Sequence, residues 1–201
     1  MPDYLHSGFI SYKHPPAADS LPAARHFRLE FVEAFEERVN FYRQTALTTY
    51  RDAQLRTAGG VHYPVELARN LCRSVCMIAV LSPEYMESTW CRGEWQAMEH
   101  LEQMRNIDKV DGCIIPILFR GPADKAQEFV GDRQLLDFKI DMPGIQLRTI
   151  NNRQRLEAIG ERIARLARCA SPVDCADFEI PVGEDTDNPP SDASASPNPM
   201  V

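Results

Sequence analysis

The chain has 201 residues, 44% apolar and 25% charged, which suits one soluble globular domain with a full core. Its net charge of -7 belongs to one end: seven acids and no base follow Arg168, leaving 22 acids against 22 bases in residues 1–170. A near-neutral domain excludes the basic footprint of a nucleic-acid binder.

Gly8–Tyr12 reads as a short first strand, and Pro15, Pro16 and Pro22 mark a loop after it. A helix is predicted over 24–42, where Phe27, Phe31, Phe35 and Val39 recur every four residues and Glu33, Glu36, Glu37 and Arg38 fall mostly on the other side. Ala46–Tyr50 is a second strand, rich in β-branched and aromatic types. Residues 52–62 form a loop with the flexible pair Gly59-Gly60, and 64–73 read as a helix with Pro64 in its first turn.

Residues 75–81 are apolar on both faces, the pattern of a central parallel strand covered on each side. Ser82 then suits an N-cap with Pro83 at the first helical position. A helix over 90–105 carries Trp90, Ala97, Leu101 and Met104. A fourth strand spans 113–119, where Pro116 lacks a ladder donor and is expected near an edge or bulge. A short fifth strand is expected at Phe138–Ile140, and a last helix over 152–168 with Leu156, Ile159, Ile163 and Leu166 on one stripe.

Periodicity ends near Ser171. Residues 181–201 hold five prolines, four acids and no base, a composition that cannot bury enough apolar surface to order itself. The division expected is a domain over 1–170 and an acidic, disordered tail over 171–201. Alternating strands and helices imply an α/β fold, a doubly wound parallel sheet of five strands flanked by helices. Ligands of such sheets bind beyond the carboxyl ends of the strands. The segments 11–14, 51–60 and 82–94 converge there. Within the last of these, Trp90 and Glu94 are four apart and share one helix face, placing an aromatic ring and a carboxylate together. That pair suits a ring-bearing, cationic ligand.

The longest apolar runs have seven residues, too short to span a bilayer, and the N-terminus has no signal-peptide pattern. A cytoplasmic protein is expected. Cys72, Cys76, Cys91, Cys113, Cys169 and Cys175 read as thiols of a reducing compartment, several of them buried, and no metal site is expected. Phosphate-loop, dinucleotide-binding and zinc-protease motifs are absent from the sequence.

Four pieces together resemble the TIR (Toll/interleukin-1 receptor) domain family. Phe9-Ile10-Ser11-Tyr12 resembles its box 1. Residues 51–59, RDAQLRTAG, resemble its BB loop, one residue longer than the commonest spacing. Val80-Leu81-Ser82-Pro83-Glu84-Tyr85, followed by Ser88-Thr89-Trp90-Cys91-Arg92-Gly93-Glu94, resembles its LS-x-x-Y-x-x-S-x-W-C-x-x-E signature, and Ile114–Ile117 its fourth strand. The likeness runs from residue 7 to about 168. The proline-rich segment over 15–25 and the long first helix depart from it and resemble stand-alone bacterial members.

The resemblance implies a flavodoxin-like TIR fold and leaves two functions open. Some members cleave NAD+ at its nicotinamide–ribose bond, giving nicotinamide with ADP-ribose or a cyclic ADP-ribose isomer. There the glutamate matching Glu94 is catalytic. The resemblance then assigns Ser11, Tyr12, Lys13, Arg51, Asp52, Leu55, Ser82 and Trp90 to substrate binding. Lys13 would hold the pyrophosphate where the family's enzymes often carry arginine, and Trp90 would flank the nicotinamide or ribose. NAD+ is substrate, and no cofactor is called for. The BB loop, 52–62, would complete the pocket of a neighbouring copy, so activity would need self-association. A role in bacterial anti-phage defence follows from the family alone. Other members are adaptors that bind further TIR domains without chemistry, and a nucleoside deoxyribosyltransferase-like enzyme is a third reading.

One carboxylate can suffice for the NAD+ reaction. Ordinary glycosidases use two because a neutral alcohol must be protonated as it leaves. Nicotinamide in NAD+ is already cationic and leaves neutral. What remains is to stabilise an oxocarbenium-like ribose.

Overall fold

The computed structural model describes residues 4–13, 48–51, 63–138 and 150–181. Five strands, β1 (His6–Tyr12), β2 (Thr48–Arg51), β3 (Met77–Leu81), β4 (Ile114–Leu118) and β5 (Leu136–Asp137), form one sheet. Every pairing is parallel, in the order β2-β1-β3-β4-β5. The helices are α1 (Tyr63–Cys72), α2 (Pro83–Glu87), α3 (Thr89–Met104), α4 (Ala123–Val130) and α5 (Ile150–Cys169). This is the flavodoxin-like, doubly wound arrangement. The helix expected over 24–42, the loop over 52–62 and the chain beyond 181 lie outside the described residues.

The strand order locates the crevice. From β1 the chain moves outward to β2, then returns past β1 to place β3 on its other side. The direction of winding therefore reverses between β1 and β3, and ligands of open α/β sheets bind at such a point. Ser11 pairs in register with Ala79, and Tyr12 with Val80, so these strands end together.

All five residues of β3 and all five of β4 are buried, as continuous apolar runs covered on both faces require. Leu67 and Leu71 of α1, Ala97, Met98 and Leu101 of α3, and Leu156, Ile159, Ile163 and Leu166 of α5 complete the core. Met104, expected on the buried stripe, is 47% exposed. The inward position one turn beyond Leu101 is Arg105. Its guanidinium donates to the carbonyls of Cys72 (2.8 Å), Ser74 (3.0 Å) and Val75 (3.2 Å), tying off the turn between α1 and β3. A cation with several acceptors can occupy such a place, which an unpaired one could not.

Three further features differ from the sequence expectation. Pro116 lies in β4, between β3 and β5, and not in an edge strand. Met77 N donates to Cys113 O on the β3 side, and Phe138 N to Leu118 O on the β5 side. Even-numbered residues of β4 thus face β5, whose pairing begins only at Ile117. The missing N–H of Pro116 therefore points where no strand partner lies. The fifth strand is Leu136–Asp137, two residues earlier than expected, with Phe138 buried just after it. Helix α4 was not foreseen: its eight residues carry an apolar stripe of Ala123, Ala126, Phe129 and Val130 that is only two turns long.

Residues 171–181, placed in the tail by the sequence reading, lie against the domain without regular structure. Cys175 is joined to Cys72 by a disulfide, Val173 and Phe178 pack on the core, and Ile180 is 9% exposed. Cys72 and Cys175 are thus not the free thiols expected of them. Their 103-residue separation gives no local sign of a pair. Cys76, Cys91 and Cys113 are buried and outside any disulfide, whereas Cys169 is exposed. Among the described residues, no helix is long and apolar enough to cross a membrane.

Candidate functional site

The site is built where β1 and β3 end. Ser11, the penultimate residue of β1, points its hydroxyl inward and is 1% exposed. After β3, the Ser82 side chain caps α2 by accepting from Tyr85 N at 3.2 Å, with Pro83 in the first turn. This short helix buries Tyr85 completely. Ser88 then caps α3, accepting from Cys91 N at 3.3 Å. The two caps turn the chain twice in seven residues and aim the first turns of α3 at the end of β1.

Glu94 sits there, 4% exposed. Trp90, one turn earlier on the same face, donates its Nε1–H to Glu94 Oε1 at 3.1 Å. The Ser11 hydroxyl donates to Glu94 Oε2. Each carboxylate oxygen therefore receives a fixed donor, which sets the plane of the group. A serine hydroxyl has one proton, and Ser11 spends it on Glu94. The Tyr85 hydroxyl, 2.9 Å from Ser11 Oγ, is then the donor to Ser11. Burial, with Cys91 and Glu94 adding to it, pushes the Tyr85 hydroxyl pKa well above its ordinary value, so that proton stays in place. The chain of donors runs Tyr85 to Ser11 to Glu94.

Lys13, just past β1, is half-buried and reaches Ser88 Oγ at 3.4 Å. An ammonium thus stands at the cap of the helix that carries the carboxylate. The arrangement combines a fixed buried carboxylate, an indole beside it and a cation at the rim. These are groups that recognise a ligand bearing both a cationic ring and phosphate.

A TIR-domain family model matches residues 9–150, about seven-tenths of the chain. The chain belongs to the TIR domain family. No curated protein and no solved structure gives a significant match.

Of the residues that the TIR resemblance assigned to the site, Glu94, Trp90 and Ser11 are in direct contact. Lys13 reaches Ser88, the cap of the helix that carries Trp90 and Glu94. Tyr12 closes β1 beside Val80. Ser82 is 9% exposed and its hydroxyl is engaged as the α2 cap. Arg51 ends β2, whose register pairs it with Ile10, while Asp52 and Leu55 lie outside the described residues. Tyr85 and Ser88 were not assigned to the site. Ser88 had a local signal, a serine three residues before Cys91 at the start of an apolar-periodic run. Tyr85 had only its place in the TIR signature, since its partner Ser11 is 74 residues away.

Proposed function

We propose that this TIR domain is an NAD+ nucleosidase, cleaving the nicotinamide–ribose bond with Glu94 as its catalytic carboxylate. The observation that carries this reading is the Glu94 carboxylate, buried at the strand-order reversal and held at both oxygens by Trp90 and Ser11. A solvated helix glutamate would need neither the burial nor the two donors.

In the proposed reaction the nicotinamide ring lies by Trp90 and the ribose by Glu94. As the C1′–N bond lengthens, positive charge spreads over the ribose ring, and the carboxylate stabilises it directly or through a ribose hydroxyl. Fixed donors keep the group from rotating to meet water, so little reorganisation is needed when the charge develops. Lys13 provides a point charge for the pyrophosphate. Water or the adenine ring then captures the ribosyl cation, giving ADP-ribose or a cyclic isomer. The BB loop of a neighbouring copy completes the pocket in this reading, so activity rises faster than linearly with protein concentration. Head-to-tail contacts of that kind propagate as open filaments. A role as a signal-producing enzyme in defence rests on the family.

The test is NAD+ consumption with product identification at rising protein concentration, beside Glu94→Ala. Release of nicotinamide, falling by roughly 10²–10³-fold in the variant, is expected by analogy with the loss of one charge-stabilising group. Intact NAD+ at every concentration, with both proteins folded, would favour the adaptor reading.

A further inference from the structure

A cavity of about 320 Å³ opens at the end of the sheet where β1 begins, and the Cys72–Cys175 disulfide lies in its wall. Tyr4, Arg69, Arg73 and Asp174 also line it. Two of these groups are already engaged: Arg69 pairs with Glu66 at 2.8 Å, and an Asp174 oxygen accepts from Ala176 N at 3.0 Å. Arg73 is exposed and supplies the cation at the opening. The two cysteines differ in exposure. Cys72, at the end of α1, is 1% exposed, whereas Cys175 is half-buried.

We propose that this cavity is a thiol–disulfide exchange site for a small carboxylate-bearing thiol, and that opening the disulfide releases residues 171–181 from α3. The thiolate attacks Cys175 Sγ. A mixed disulfide forms as the Sγ–Sγ bond breaks, and the electron pair leaves on Cys72, which takes a proton from solvent. A second thiolate attacks the small-molecule sulfur of the mixed disulfide and frees Cys175. Two small thiols are oxidised to one disulfide, and the protein disulfide gains two electrons. Cys72 is a slow leaving group, because a thiolate there is buried at the negative end of α1. Exchange therefore follows the prevailing thiol balance gradually.

What the disulfide holds is in contact with the helix of Glu94. A Cβ at Gly93 would stand 2.8 Å from Pro181 O and 3.2 Å from Ile180 Cγ2, so the segment lies directly on the α3 backbone one residue before Glu94. At the other end of α3, Arg105 bonds the carbonyl of Cys72 itself. Both ends of the helix thus touch the clasped structure. The consequence for NAD+ turnover rests on the function proposed above; the exchange and release do not.

The experiment places the full chain in graded mixtures of reduced and oxidised glutathione. It reads cysteine alkylation by mass and hydrogen exchange over 171–181 and 89–104. In the oxidised mixtures Cys72 and Cys175 should resist alkylation. On reduction, exchange over 176–181 should rise at least tenfold and that of the first turns of α3 severalfold. Cys175→Ser should show the released pattern in every mixture, and Gly93→Ala should show it with the disulfide intact. Arg73→Glu should slow reduction by glutathione severalfold but leave reduction by 2-mercaptoethanol unchanged. Equal slowing of both thiols would overturn the anionic ligand. Alkylation of Cys72 and Cys175 in every mixture, or exchange over 171–181 indifferent to reduction, would overturn the proposal. Absence of NAD+ turnover would strike only the proposed function. Turnover unchanged by reduction, with the segment released, would overturn the link to Glu94.

Discussion

The hydroxyls of Tyr85 and Ser11 lie 2.9 Å apart, fully enclosed, and join the helix after β3 to the end of β1. Through Ser11 this contact orients a carboxylate that Tyr85 itself does not touch. Tyr85→Phe keeps the ring, with its edge-on packing against Phe129, and removes only the hydroxyl. A neutral hydrogen bond contributes about 0.5–1.5 kcal/mol, so kcat for NAD+ should fall up to about tenfold while KM changes little. Steady-state kinetics check this, and a loss confined to KM would contradict it.

Trp90→Phe is expected to be more severe. It preserves an aromatic face yet deletes the Nε1–H donor to Glu94 Oε1. Hydrogen bonds to charged groups contribute about 1.5–3 kcal/mol, which corresponds to a loss of roughly 10–100-fold in kcat. Thermal unfolding measured on the same samples should show a smaller change than the kinetics, because the ring still packs on the core.

A second buried carboxylate is structural. Glu102 is 1% exposed and Arg133 3%, and they meet as a two-pronged pair at 2.9 and 2.6 Å. Glu102 Oε1 also accepts from Ile114 N at 3.0 Å, fixing the start of β4 to the last turns of α3. Glu102→Ala should therefore cost up to about 3 kcal/mol in urea unfolding, since it unpairs Ile114 N and leaves the buried guanidinium with Glu99 at 3.2 Å and the Lys109 carbonyl at 3.0 Å. Replacing both partners together, Glu102→Leu with Arg133→Met, should cost less than the single change.

An acid-pH effect is expected from Glu84. The hydrogen bond from Arg120 holds its carboxyl down to about 2 from an ordinary 4.5, against a smaller opposing effect of burial. The folded value lies below the unfolded one, so the unfolded chain takes up this proton first. The contribution to stability is complete above about 4.5 and is lost as pH falls toward 2. Arg120→Ala should return the Glu84 titration toward 4.5, as carboxyl NMR would read directly. At neutral pH the same change should shift stability little, because both side chains are about half exposed and water screens the pair.

The sheet was readable from sequence because its central strands are buried on both faces and must be apolar throughout, as 75–81 and 113–119 are. Half of the site was readable for a different reason: Trp90 and Glu94 lie on one helix, where spacing fixes proximity. Ser11 reaches Glu94 across 83 residues, and only folding brings them together. The same holds for Cys72 and Cys175. Local pattern misled at Met104, where a stripe drawn by polarity chose methionine over the arginine that turns inward. It was too short to read at α4, where the helical spacing of Ala126 and Val130 spans one turn of an eight-residue helix.

Similarity-drawn limits and physical limits of this domain do not coincide. The family match stops at residue 150, where α5 begins, yet Leu156, Ile159, Ile163 and Leu166 of that helix are at most 4% exposed. A protein trimmed at the edge of its likeness would lose one wall of its interior. One trimmed at 170 would keep the wall but bare the strip of α3 beneath Ile180 and leave Cys72 without its sulfur partner. Shortening or fusion at this end belongs beyond residue 181, where nothing described here would be cut away.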